Sequence, residues 1–506
     1  MVLFIIGLVI LIGGGALYGR YCEKVFGPDD RPTPAIAMAD GVDYVGMKSW
    51  KNQLIELLNI AGTGPVLGPI QGILFGPIAF LIIPIGCVIA GSMHDYFSAM
   101  MSMRAGGAQM PKLMGDYIGK GTKGLYSTII WVLMLLVGAV FVYTPGDLIA
   151  HDLLGVATTG TPIIIIYACI FLYYIIATIF PIDVIIGRIY PIFGFILLIA
   201  AVGIFIGVLF TGSHALHPIT EGALVSVHPK GQRLIPVFFI TVACGIMSGF
   251  HSTQATMISR TVTSEYEGRK TFYNMMLCEG FIAMCWAAGA MVVYNEAGKT
   301  SIGATLMVGE VARRFMGNIG GMIAVAGVIV LPITSGDTAF RSLRLMVSEQ
   351  FNIDQKTMGK RVRLSACLFI PAILILWWAK TNANGFNILW QYFGFANQLV
   401  AVFALCLITI FLKAHDKPWL IAGIPGFFYT FDIMSFIFHN DKLGFRVDKL
   451  LGNPKSYTFS YILGLACACF FIWFSLKKAK ENKDFILNNE AKFKKISDEA
   501  RAAAKA

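Results

Sequence analysis

The chain has 506 residues, of which 56% are hydrophobic and 14% charged, with a mean hydropathy of +0.70. That balance excludes an ordinary soluble protein, whose charged share is about a quarter, and indicates an all-α polytopic membrane protein. The net charge of +11 would suggest nucleic acid in a soluble chain, but here its placement along the sequence is topological and no nucleic-acid partner is inferred.

About thirteen apolar segments approach the length of ~20 residues that a span requires. They lie near residues 2–19, 52–72, 76–103, 125–144, 161–180, 189–211, 234–259, 272–294, 318–340, 363–379, 388–412, 418–438 and 457–476. The first, Val2 to Tyr18, has no Lys or Arg before its apolar core and no small-residue cleavage pattern after it, so it reads as a retained helix rather than a signal peptide. Loops are short, which implies one transmembrane domain over residues 1–480, with a basic tail at 481–506. Loops assigned alternately from an outside amino terminus put about three quarters of the 40 Lys and Arg on the inward side. The expectation is a multi-pass protein of the cell membrane, amino terminus outside and carboxyl terminus cytoplasmic. The longest outward loop, Thr211 to Arg233, holds His214, His217 and His228. The tail, with Lys477, Lys478, Lys480, Lys483, Lys492, Lys494 and Lys495 among Phe485, Ile486, Leu487, Phe493 and Ile496, reads either as a solvated extension or as an amphipathic helix on the anionic inner leaflet. Nine of the ten cysteines lie in apolar runs and no outward loop holds a pair, so neither a disulfide framework nor a CxxC metal site is expected.

Two of the apolar segments are interrupted. Gly62 to Pro69, GTGPVLGP, breaks the second, and Cys244 to Gln254, CGIMSGFHSTQ, breaks the seventh. Glycine and proline unwind a helix, and irregular backbone at membrane depth is tolerated only where protein buries it or it lines a cavity. Two interrupted helices at matching places in two halves of a chain point to a transporter's substrate site. With the helix at 2–19 set aside, the next ten form two sets of five, at 52–211 and 234–412, each opened by a broken helix. Five being odd, the second set must run inverted relative to the first. Two extra helices at 418–476 complete the count.

The strings DGVDYV (Asp40 to Val45), GTGPVLGP (Gly62 to Pro69), TVACGIMSGFH (Thr241 to His251) and LWQYFGFANQ (Leu389 to Gln398) closely resemble those of the carbon starvation protein A family. Its members are membrane transporters associated with peptide and pyruvate uptake, and the chain looks like a short form. The family in turn is similar to the amino acid, polyamine and organocation superfamily. That resemblance implies a LeuT-like fold of 5+5 inverted repeats, with one extra N-terminal and two extra C-terminal helices. It also implies that a hydroxyl pair at Thr334 and Ser335, with carbonyls of the first core helix, is a possible sodium site.

A charged or strongly polar residue at the centre of a span costs at least ~2.5 kcal/mol, so each one needs a reason. At the first break, Ala61, Gly62, Thr63 and Gly64 offer backbone N–H groups at the amino end of a half-helix, which attracts anions such as a carboxylate. Around the second, Gly245, Ser248, Gly249, His251, Ser252 and Gln254 are the candidate substrate contacts. The His251 imidazole suits either a carboxylate contact or a coupled proton; the alternative is a core histidine satisfied by backbone freed at the break. Asn397 and Gln398 either line the cavity from the tenth core helix or hydrogen-bond between helices.

His94 and Asp95, adjacent and so about 100° apart on a helix, are not expected to face one cavity. Asp95 reads as a proton relay or a partner of Arg104, and no third ligand for a metal is identifiable. Asp337 reads as a cation ligand or proton carrier, or as a partner of Arg341 four residues on. Glu56, Asp183 and Glu279 read as boundary charges or caps. Four titratable candidates against one hydroxyl pair favour protons as the coupling ion, with sodium as the alternative. No GxxxxGK[ST], HExxH or GxSxG run occurs, so neither an ATP-driven pump nor an enzyme is expected, and no cofactor. The reading is an ion-coupled secondary-active importer of a small carboxylate-bearing nutrient, a peptide or pyruvate. The resemblance implies a link to carbon starvation. The alternatives are a channel or a non-transporting nutrient sensor of the same fold.

Overall fold

A computed structural model describes the backbone of residues 1–503 except 42, 180–181, 217–226, 299, 301, 356, 383 and 442–443, and side chains except also those at 178–191, 500, 501 and 503. His217 and the side chain of Asp183 therefore lie outside the described residues. The first apolar run is α1 (Val2–Phe26). The broken second run becomes α2 (Ser49–Ile60) and α3 (Gly64–Phe75), bent by 49° where they meet. The chain continues through α4 (Ala79–Arg104), the short α5 (Met110–Tyr117), α6 (Lys120–Leu153), α7 (Thr161–Ile179) and α8 (Ile182–Gly207).

The next run is cut into one-turn pieces, Leu234–Phe238, Phe239–Thr241 and α9 (Ala243–Ile246). Extended backbone at Met247 and Ser248 then separates α9 from α10 (Gly249–Ile258). There follow α11 (Glu265–Ala297), α12 (Ala304–Phe351), α13 (Met358–Thr381), α14 (Gly385–Ala414), α15 (Leu420–His439) and α16 (Thr458–Glu481). Within α12, Gly317 at φ +66° breaks the helical path, so residues 304–316 form a separate arm.

Among the described residues ten helices are long and apolar enough to cross a membrane, or eleven with the bent α2–α3 pair. Two of the thirteen expected runs are not among them: the run at 161–180 forms α7, whose described apolar part covers Thr161–Ala177, and the run at 234–259 is broken into short pieces, as its interrupting residues imply.

The broken segments sit at the centre of the packing. α10 lies against α4, α14 and α2, while α11 packs on α3 and α2, and α12 spans α2, α3, α6 and α8. Lipid is as apolar as the helix surfaces, so close approach through small residues replaces the hydrophobic drive. At Gly64 a Cβ would run into Cβ and Sγ of Cys244, so the two broken segments touch here backbone to side chain. At Gly249 a Cβ would strike the α14 backbone at Asn397 and Ala401.

The tail docks on the body of the protein. Residues Lys483–Ala503 form α17, which packs on α4, α5, α14 and the 34–37 turn. It buries Ile486, Phe493 and Ser497 against the body of the protein.

Candidate functional site

The two breaks bring together side chains that lie far apart in sequence. Asn397 on α14 caps α10: its Oδ1 accepts from the Phe250 N–H at 2.8 Å and from the Ser248 hydroxyl at 3.0 Å. A helix beginning inside the protein has orphan N–H groups that must be satisfied, and here the acceptor comes from another helix. Gln398 also reaches the broken segment but as a donor, from Nε2 to the Phe239 carbonyl at 3.0 Å. Both amides therefore bond between helices. The capping fixes the first turn of α10, and with it His251.

His251 is fully buried and bridges two carboxylates. Its Nδ1 hydrogen-bonds Asp95 Oδ2 at 3.1 Å, and its Nε2 lies 3.5 Å from Glu279 Oε2, an ion-pair distance without a hydrogen bond. The other Asp95 oxygen, Oδ1, lies 2.8 Å from Nδ1 of His94. The adjacent residues thus do share one site, contrary to their 100° offset, because both side chains bend toward each other. Asp95 does not pair with Arg104. That guanidinium instead grips Glu265, through Nε at 3.1 Å and Nη2 at 3.0 Å.

Glu56 and Glu279 are a second correction. Neither caps a helix or marks a boundary: both are wholly buried, and both lie within charge-interaction range of Asp95. The carboxylate oxygens of Glu56, both amide atoms of Asn59 and the Thr63 hydroxyl are buried with no hydrogen-bond partner. Glu56, Asn59 and Thr63 are spaced at helical intervals up to the first break. Three carboxylates and two imidazoles are thus gathered where α2, α4, α10 and α11 meet, out of reach of water. Ionised groups cannot all be left unpaired in such a place, so moving protons on and off is the cluster's available chemistry. Among the described residues, no group of three or more His, Cys, Asp or Glu has metal-binding geometry.

The remaining candidates distribute unevenly. Ala61, Gly62, Thr63 and Gly64 are buried at the first break, and no side chain caps α3. Gly245 packs on Ala283, at 2.9 Å from a Cβ built on it. Ser252 and Thr253 return their hydroxyls to Gly249 and Phe250 carbonyls at 2.7 Å each, and Gln254 donates to the Thr253 hydroxyl at 3.1 Å, with its own Oε1 unpartnered. Ser335 donates to the Leu58 carbonyl of α2 at 2.7 Å, and Thr334 to the Leu331 carbonyl at 2.9 Å. The hydroxyl pair therefore does lie beside the first core helix, but its hydroxyls act as donors to backbone. Asp337, one turn on, is buried toward Tyr174 and Arg344 rather than among the five-group cluster.

Two cavities open elsewhere in the protein. One of about 600 Å³ opens beside Gln71 of α3, Thr241, His228, Lys230 and Trp390. The other, of about 710 Å³, lies on the face covered by α17. None of Glu56, Asp95, His251 and Glu279 lines either of them, so the cluster opens into neither.

The description of the carbon starvation protein CstA family matches residues 1–169, 144–312 and 294–435. The chain belongs to this family. The CstA-family chain is 39% identical over 341 residues to an uncharacterised membrane protein of Haemophilus influenzae, covering 58% of the chain and 92% of that protein. It is 24% identical over 538 residues to the peptide transporter CstA of Escherichia coli, covering 81% and 76%. To the pyruvate/proton symporter BtsT of Escherichia coli it is 25% identical over 339 residues, covering 54% of the chain and 47% of the symporter. In three dimensions it resembles the manganese transporter of Eremococcus coleocola, with TM-score 0.51, 14% identity and coverage of 89% and 99%. That likeness shows a shared all-helical transporter fold. The relatives whose names state a role are transporters, and the chain is a transporter rather than an enzyme.

Proposed function

We propose that the chain is a proton-coupled secondary-active importer of a small carboxylate-bearing nutrient, pyruvate or a short peptide. The observation that carries this reading is the buried bridge Asp95–His251–Glu279 at the second break, with His94 and Glu56 beside it. An imidazole between two carboxylates donates from both nitrogens when protonated and from one when neutral. Gaining or losing a proton therefore re-sorts the contacts between α4, α10 and α11, the physical requirement for coupling a proton to a conformational change.

Two features support an anionic substrate. The uncapped amino end of α3 at Thr63 and Gly64 has the polarity that attracts a carboxylate. A cavity at the opposite end of α3, beside Gln71 and Phe75, holds His228 and Lys230 and no carboxylate among the described lining residues. We assign this face to the outside and the α17 face to the cytoplasm, as the distribution of Lys and Arg requires. The broken helices then open two inverted five-helix sets at 52–211 and 234–412 around the site. The names of the CstA and BtsT relatives mention peptides and pyruvate with protons, in keeping with this assignment. The hydroxyls of Thr334 and Ser335 are read as structural.

The test is His251→Gln in proteoliposomes loaded and assayed with labelled pyruvate and with a labelled dipeptide. An amide keeps hydrogen bonding but carries no proton, so uphill accumulation is expected to collapse while exchange of substrate across the membrane continues. Equal loss of both, or loss of neither, contradicts the proposed role of His251.

A further inference from the structure

The second cavity, about 710 Å³, lies beneath α17. Its inner wall carries Gln109, whose Oε1 accepts the Thr256 hydroxyl at 3.3 Å. Thr256 is on α10, a little over one turn beyond His251, so the cavity abuts the half-helix that carries the central imidazole. Gln109 lines this cavity while only 1% exposed, and its amide Nε2 is buried with no hydrogen-bond partner. Lys112, Lys123, Arg260 and Lys492 line the same space against Asp116 and Glu349, leaving cations in excess. Arg260 is itself buried, with Nε fixed to the Gly107 carbonyl at 2.8 Å and Nη2 only 3.8 Å from Glu349. An unpartnered buried donor among excess cations is complementary to a small anion.

Lys492, Phe493 and Ile496 on this wall belong to α17. Besides its buried Ile486 and Phe493 and the Ser497 hydroxyl that donates to the Pro32 carbonyl at 2.8 Å, that helix is held by one multiply bonded carboxylate. Glu490 Oε1 accepts from Arg104 Nη1 at 3.0 Å and Arg31 Nη1 at 3.4 Å, while Oε2 lies 2.7 Å from His415 Nε2. Burial alone would raise this carboxyl, but the His415 hydrogen bond and the charges of Arg104, His415 and Arg31 outweigh it and hold the group down at about 2. Arg104 is the last residue of α4, the helix that carries His94 and Asp95. The fastening thus joins the tail to a helix of the central cluster.

We propose that this cavity is a cytoplasmic anion site, the compartment into which the carboxylate substrate is released, and that α17 is its lid, latched by Glu490. The identity of the anion rests on the proposed carboxylate substrate; the lid does not. The test uses Ala108→Cys, a cavity-lining position, in the otherwise full-length protein. The labelling rate with a membrane-impermeant maleimide is compared with the same protein carrying Glu490→Ala, or ending after Asn482. The expected result is slow labelling with the latch intact and labelling faster by about tenfold or more in both lid variants, equivalent to about 1.4 kcal/mol. Equal rates in all three proteins overturn the lid.

Pyruvate and inorganic phosphate are then added separately to the Glu490→Ala protein. Protection by pyruvate and not by phosphate supports the release compartment. Protection by phosphate alone, or by neither, overturns it. Labelling requires no transport, so a protein that opens its lid in Glu490→Ala yet takes up no carboxylate counts against the proposed function and not against the lid.

Discussion

Gly64→Ala is the sharpest perturbation the structure offers, because it adds one methyl at the contact between the two broken segments. A Cβ at Gly64 falls within 3.0 Å of both Cβ and Sγ of Cys244, closer than real Cβ atoms approach. α3 and α9 must therefore move apart, at the cost of ~1–3 kcal/mol typical of overpacking a close-packed interior. That is a fraction of the ~5–15 kcal/mol that holds a protein folded. The variant should insert and purify, but with its central junction displaced.

Uptake into proteoliposomes is expected to fall at least about tenfold, since a displacement of ~1 Å at a site is enough for losses of that order. Cys244→Gly removes both offending atoms, so Gly64→Ala combined with Cys244→Gly should regain most of the lost uptake. Gly64→Ala with Cys244→Ala keeps the Cβ and should not. Normal uptake by Gly64→Ala, or equal rescue by the two Cys244 changes, would refute the claim that the breaks meet at a working junction.

Asn397→Ala removes the acceptor shared by the Phe250 N–H and the Ser248 hydroxyl; a loss of ~1–2 kcal/mol should appear in detergent unfolding, largely restored by Asn397→Asp, which retains an acceptor oxygen. Gly249→Ala meets α14 backbone at Asn397 and Ala401 as well as the Val400 Cβ, so no single replacement on a neighbouring side chain should rescue its uptake. For topology, Lys230→Cys should react with an impermeant thiol reagent in intact cells and Glu499→Cys only after the membrane is opened; the reverse pattern would invert the assigned orientation.

The first break was legible because Gly62, Gly64 and Pro65 cluster inside an apolar run, but it is narrower than the GTGPVLGP string suggests: Gly64 to Pro69 are already helical in α3. The acids were not legible. Hydropathy windows begin where apolar residues begin, whereas α2 starts at Ser49 and α11 at Glu265. The true helices run past the apolar windows, and that extra length carries Glu56 and Glu279 from a supposed edge into the interior. An acid one turn before a broken segment, on the same face as Asn59 and Thr63, was the signal that pointed to Glu56.

The His94–Asp95 contact was hidden for a different reason: backbone angles say where side chains leave a helix, not where long rotamers finish. The docking of α17 was invisible because Glu490 meets Arg31, Arg104 and His415. Those partners are remote in sequence, and only the fold brings them together.

The central claim is that the buried Asp95–His251–Glu279 bridge couples protons to transport. The most direct measurement is uptake of labelled pyruvate and of a labelled dipeptide into proteoliposomes at fixed external pH, under an inward proton gradient or an inward sodium gradient, with and without a protonophore. The account predicts that uptake of at least one substrate follows the proton gradient, collapses with the protonophore, and is indifferent to replacing sodium with potassium. Uptake that requires sodium, survives the protonophore and disappears in Thr334→Ala would contradict it.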